Sequence, residues 1–108
     1  MDSKTLSICI PSYNRPNELI RLLKSISKEV YCDIEIVISE DKSPRRKDIN
    51  LAVENFKLSN PDLELIYSEN EKNLGYDLNL KELIKKANGK FIMFMGDDDT
   101  FVTKNIFA

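Results

Sequence analysis

Three carboxylates in a row, Asp97-Asp98-Asp99, follow Gly96 at the end of an apolar run, Phe91 to Met95. Adjacent carboxylates repel one another, and partial burial at the end of a buried segment raises that cost. A hard divalent cation relieves it, because carboxylate oxygens are the ligands that Mg²⁺ or Mn²⁺ prefers. Magnesium commonly takes one or two protein carboxylates and fills its remaining positions with water and substrate phosphates. The triplet therefore reads as half of a metal site, with a diphosphate as the other half. Gly96 permits the sharp backbone turn needed there. For Asp99 the competing role is an N-cap for the segment that starts at Thr100.

Three other polar clusters follow apolar runs in the same way: Pro11-Ser12-Tyr13-Asn14-Arg15, Glu40-Asp41-Lys42-Ser43, and Ser68 to Gly75 (SENEKNLG). Loops are polar in any case, and Asp, Asn and Ser cap helices, so no single cluster decides anything. Their meaning depends on whether the fold brings them together.

The elements between them supply that answer. Leu6 to Ile10 reads as a strand, Ile34 to Ser39 as a second rich in β-branched residues, Leu63 to Tyr67 as a weaker third, and Phe91 to Met95 as a fourth. The fourth is apolar without alternation, as expected of a strand covered on both faces. Between them, Pro16 opens a helix with Leu19, Leu22, Leu23, Ile26 and Val30 on one stripe. Ser43-Pro44 suggests an N-cap for a second helix with Ile49, Ala52, Val53 and Phe56 facing inward. Leu80, Leu83, Ile84 and Ala87 mark a third, which Asn88-Gly89 can end with a left-handed cap. The order β-α-β-α-β-α-β implies an α/β fold with a parallel sheet. In such sheets ligands bind beyond the carboxyl ends of the strands, where all four polar clusters converge.

Composition narrows the function classes. The 108 residues suit one domain, 1–108, and 42% hydrophobic content is ordinary for a globular chain. Sixteen basic residues against eighteen acidic give a net charge of −2, which offers no overall basic field for nucleic acid. The absence of histidine excludes histidine-based triads and the usual zinc sites. Cys9 and Cys32 make no disulfide framework and match no metal-ligand spacing. No stretch approaches the ~18 apolar residues of a membrane span, and no signal peptide is read at the N-terminus. A reducing, cytoplasmic setting is the default expectation.

PSYNR after the first strand, EDKS after the second, NEKNLG before the third helix and GDDD after the fourth strand together resemble the family 2 glycosyltransferases of the GT-A fold. The NEKNLGYD…GDDD combination is most similar to bacterial transferases that build surface polysaccharides, including the abequosyltransferase-like branch. The resemblance implies a Rossmann-like three-layer α/β/α domain that binds a nucleoside-diphosphate sugar with Mg²⁺ or Mn²⁺. It implies that Pro11 and Tyr13 flank the base, with Asn14 and Arg15 beside them, and that Asp41 meets the base edge next to Glu40. Lys72, Asn73 and Asp77 are implied near the donor sugar or phosphates, Asp97 at the ribose or metal, and Asp98 and Asp99 at the metal and diphosphate. Two motifs depart from the family pattern: Glu40-Asp41-Lys42-Ser43 stands where Asp-Asp-Gly-Ser is common, and Gly96 replaces the leading aspartate of the metal motif.

The resemblance further implies inverting transfer to a saccharide or lipid-linked acceptor. On this reading residues 1–108 are a donor-binding half, with the acceptor-binding half absent and the general base beyond Ala108. Alone, such a piece is expected to bind donor but transfer sugar poorly, with self-association through uncovered surfaces and peripheral attachment at the inner face of the membrane as further expectations. Asp41 accepts but does not donate hydrogen bonds when ionised, which favours a UDP- or dTDP-sugar, whose base presents N3–H, over a CDP-sugar. The competing readings are a nucleotidyltransferase, disfavoured because PSYNRP lacks a glycine-rich phosphate loop, a receiver-like signalling domain, and a non-catalytic α/β binding domain.

Overall fold

The computed structural model describes residues 5–28 and 33–96. Val30, Cys32 and the aspartate triplet lie outside these residues. The elements run β1 (Leu6–Ser12), α1 (Pro16–Ser27), β2 (Ile34–Glu40), α2 (Arg46–Ser59), β3 (Glu64–Glu69), α3 (Tyr76–Lys86) and β4 (Phe91–Phe94). The four strands form one parallel sheet in the order β3-β2-β1-β4. This is the α/β fold expected from the alternation of elements.

The register sorts side chains between two faces. Ile8 pairs with Ile36 and Ile10 with Ile38, so these isoleucines share one face. Against it pack Leu19, Leu22, Leu23 and Ile26 of α1 and Ile49, Val53 and Phe56 of α2, all buried. Cys9 and Val37 point the other way and meet Leu83 of α3. Two helices on one face and one on the other make the three layers. α1 begins with Pro16 at its first turn, where the missing N–H costs nothing.

Three local expectations fail for identifiable reasons. Ser43 does not cap α2: the helix starts at Arg46, with Arg45 at the N-cap position and no side-chain cap. Ser43 instead closes a turn, its N–H donating to the Glu40 carboxylate and its carbonyl accepting from Arg46 N–H. Nor does α3 end in a left-handed cap, since Ala87 leaves it in an extended conformation. The buried Glu35 carboxylate redirects the chain by accepting from Asn88 N–H (2.6 Å) and from the Ser7 hydroxyl (2.6 Å). Gly89 then serves close approach, because a Cβ there would sit 2.7 Å from Ser7 N. Finally, β4 is not covered on both faces among the described residues. It is an edge strand while α3 lies over β1 and β2, so Phe91, Ile92 and Phe94 stay exposed and only Met93 and Met95 reach the core.

Candidate functional site

The carboxyl ends of the strands and the start of α3 surround an open cleft of about 600 Å³. Pro11, Ser12 and Tyr13 line it from the end of β1, Asp41 from the end of β2, and Asn73, Gly75, Tyr76 and Asn79 from the α3 entrance. Gly96 lines it from the segment that follows β4. Met95 N–H still donates to Cys9 carbonyl, so the parallel pairing with β1 delivers the chain to the cleft at the residue preceding Asp97. Tyr13 is about half exposed and Tyr76 more so, which leaves their rings available to a ligand.

Asp41 organises this edge. It is 4% exposed, and its carboxylate accepts three hydrogen bonds: from Leu74 N–H (2.8 Å), Gly75 N–H (2.9 Å) and Asn70 Nδ2 (2.9 Å). Its own carbonyl accepts from Asn73 Nδ2, and its N–H donates to the Ser12 carbonyl. A carboxylate has about four lone-pair positions, so the entrance loop of α3 takes three and leaves capacity for one further donor. Beneath it, Asn70 Nδ2 also donates to Asn79 Oδ1, Ser39 hydroxyl donates to Asn70 Oδ1, and Asn79 Nδ2 donates to Ser39 carbonyl. These side chains make a closed polar lattice under the cleft, and each bond is stronger there than in water.

Of the residues singled out in the sequence, Pro11, Tyr13, Asp41 and Asn73 line the cleft. Asn14 does not; it adopts a left-handed conformation (φ 62°) and its Oδ1 accepts from Arg45 N–H, tying the β1–α1 turn to the start of α2. Arg15 turns to Glu18 on α1, 3.7 Å away. Glu40 is fully buried with both carboxylate oxygens on Ser43 N–H, so it shapes the β2–α2 turn from inside. Lys72 lines a separate depression with Glu71, Glu82 and Lys86, and Asp77 is exposed outside the cleft. Asp97, Asp98 and Asp99 fall outside the described residues. Among those described, no group of three or more acidic, cysteine or histidine side chains is arranged to hold a metal.

Sequence reasoning passed over Ser12, Gly75, Tyr76, Asn79 and the supporting Asn70. Asn79 carried a usable signal: it lies four residues before Leu83, on the buried face of α3, where an amide requires a partner. Tyr76 is an exposed aromatic at the first position of α3, directly after a glycine with positive φ.

Fold and cleft together define a parallel-sheet α/β domain with an open cleft at the carboxyl edge of the sheet, the position where such folds bind ligands. The chain belongs to glycosyl transferase family 2, whose profile matches residues 7–106, and this sets aside the receiver-like reading. It is 34% identical over 103 residues to abequosyltransferase RfbV of Salmonella typhimurium, covering 94% of this chain and 30% of that protein. It is 30% identical over 98 residues to the GalNAc(5)-diNAcBac-PP-undecaprenol beta-1,3-glucosyltransferase of Campylobacter jejuni, covering 91% and 31%. The chain thus spans about a third of the length of these relatives. Among solved structures, TarS 1-349 of S. aureus superposes with a TM-score of 0.81 at 25% identity, covering 95% of this chain and 30% of that one. TarS 1-349 has also been solved with UDP-GlcNAc.

Proposed function

We propose that this chain forms the donor site of a glycosyltransferase that moves a sugar from a nucleoside diphosphate to a saccharide or lipid-linked acceptor in surface-polysaccharide synthesis. The observation that carries the reading is the cleft itself: aromatic walls Tyr13 and Tyr76, an acceptor carboxylate at Asp41, and Gly96 leading into three carboxylates. A nucleotide needs a flat apolar surface for its base and a polar group for the base edge, which the cleft offers, and countercharge for its phosphates, which a divalent cation on the carboxylates after Gly96 would supply. UDP or dTDP is the favoured carrier, because the remaining acceptor position on Asp41 suits the N3–H of uracil or thymine.

The hard oxygen donors of Asp97, Asp98 and Asp99, following a glycine that lines the cleft, fit Mg²⁺ or Mn²⁺. When bound there, such an ion supplies Lewis-acid stabilisation of charge on a leaving diphosphate. The chain's own residues do the rest of the donor's positioning. Tyr13 and Pro11 hold the base, Asp41 fixes its edge, and Asn73 and the α3 entrance set the path of the phosphates. An acceptor hydroxyl then gives its proton to a general base and attacks the anomeric carbon as the nucleoside diphosphate departs, with inversion and through an oxocarbenium-like transition state.

The test is calorimetric titration of UDP into the full chain with Mn²⁺, with EDTA, and into Tyr13→Ala and Asp98→Asn. Binding is expected to require Mn²⁺ and to vanish in Asp98→Asn. Tyr13→Ala should weaken it at least about tenfold, as loss of a base-stacking ring does. Folded protein that binds no UDP, dTDP or CDP under any of these conditions refutes the donor site. CDP binding more tightly than UDP refutes the base assignment alone.

A further inference from the structure

A net charge of −2 conceals a division between the layers. The stretches that contain α1 and α2, from Arg15 to Lys28 and from Lys42 to Ser59, carry nine of the sixteen basic residues and three of the eighteen acidic ones. That is +6 for this layer and −8 for everything else. On α1, Arg21, Lys24 and Lys28 are exposed at i, i+3 and i+7, one face of the helix. With Asn17, Ile20 and Ser25 they line a depression of about 420 Å³. Among the described residues, two of the layer's three carboxylates are already matched, Glu18 by Arg15 and Asp48 by Arg45.

The same face carries apolar groups. Leu51 and Leu58 lie at i and i+7 on α2 and are 62% and 80% exposed. Leu51 also lines the groove between the helices with the partly buried Ile20. A lone exposed leucine requires no explanation. Two on one helical face, beside a stripe of cations on the neighbouring helix, match an interface that is anionic at its surface and apolar just beneath.

We propose that the outer face of the α1–α2 layer docks on an anionic lipid surface. Arg21, Lys24 and Lys28 meet headgroup phosphates, while Leu51 and Leu58 enter the boundary between headgroups and acyl chains. Nucleic acid satisfies the cations but has no place for the leucines, which is why a bilayer is the better occupant. The face lies on the outside of two helices, away from the cleft at the strand ends, so this inference stands apart from the donor-site reading. Its consequence for the cleft alone rests on the function proposed above: docking there would hold the cleft near a lipid-linked acceptor.

Co-sedimentation of the full chain with vesicles tests it. Binding is expected to phosphatidylglycerol–phosphatidylethanolamine vesicles, to fall as salt rises, and to be absent on phosphatidylcholine. The combined Arg21→Gln, Lys24→Gln and Lys28→Gln variant should lower the partition coefficient about 100-fold. Leu51→Ser with Leu58→Ser should lower it about tenfold. Lys81→Gln with Lys85→Gln, on α3 at the opposite layer, should leave it unchanged. Circular dichroism and UDP titration of each variant report fold and donor site separately. No binding to anionic vesicles, equal binding by the α1 variant, or tighter binding to duplex DNA or RNA overturns the proposal.

Discussion

Asp41→Asn is nearly isosteric, yet the structure requires it to be costly. The carboxylate accepts Leu74 N–H and Asn70 Nδ2 on one oxygen and Gly75 N–H on the other. An amide can replace one oxygen but presents N–H₂ at the other. Placed with its oxygen toward Leu74 and Asn70, it sets a donor against Gly75 N–H; flipped, it sets one against two donors. The better orientation therefore strands one amide, at about 1–3 kcal/mol. It also turns two charge-assisted bonds into neutral ones, at about 1 kcal/mol each. At 4% exposure, water offers little rescue. The expected loss is about 3–5 kcal/mol, a large part of the 5–15 kcal/mol typical of a domain. Urea unfolding followed by circular dichroism reads it as a lowered midpoint with unchanged slope. A loss below about 1 kcal/mol would refute the assignment of Asp41 as the clamp on the α3 entrance.

Two other outcomes follow from single residues. Lys42 holds φ at 55°, which costs a side chain about 1–2 kcal/mol, and a glycine there regains it less about 0.5–1 kcal/mol of unfolded-state entropy. Lys42→Gly should therefore stabilise by about 0.5–1 kcal/mol in the same urea assay, and Lys42→Val should destabilise. Burial, and then the charge of Glu35, push the Cys9 thiol from 9.0 up to about 11. The folded state thus keeps a proton that the unfolded chain releases, so this contribution is complete below pH 9 and is lost as pH rises toward 11. Urea midpoints at pH 8 and pH 10.5 should fall further for the wild type than for Cys9→Ala.

The alternation of elements was legible because hydrophobic period and β-branched runs here agree with each other along the chain. Leu19, Leu22, Leu23 and Ile26 show as one stripe in the sequence and as one buried face in the structure. Three of the strand-end clusters, and Gly96 of the fourth, were legible as a group, since a parallel sheet must gather them at one edge; Asp97 to Asp99 lie outside the described residues. What was not legible is which side chains in each cluster turn inward. Glu40 and Asp41 are adjacent carboxylates, yet one is consumed by a turn and the other by a loop 33 residues away. The end of α3 was misread because Glu35, 53 residues earlier, supplies the partner for Asn88. Among the described residues, the coverage of β4 was misread because an unbroken apolar run reports burial without reporting which layer supplies it.

The backbone at the cleft shows a pattern that connects these cases. Asn14 (φ 62°) follows Tyr13, Lys42 (φ 55°) follows Asp41, and Gly75 (φ 88°) precedes Tyr76. Each of these three cleft-lining side chains thus adjoins a residue in the half of conformational space that most side chains avoid. Two of the three are not glycine, so the surroundings must hold them there. For Asn14 the visible anchor is Arg45 N–H on its Oδ1, and for the Asp41–Lys42 turn it is the clamp of Leu74, Gly75 and Asn70. Gly75 has open space around its missing Cβ and is needed for its torsion alone, whereas Gly89, at the far end of α3, is needed for its smallness. The two ends of α3 are thus fixed by different physics. The end that meets the cleft depends on a strained turn held by one buried carboxylate, so a substitution that frees Asp41 should disorder Tyr76 and Asn73 together before it disturbs the β1 wall at Tyr13.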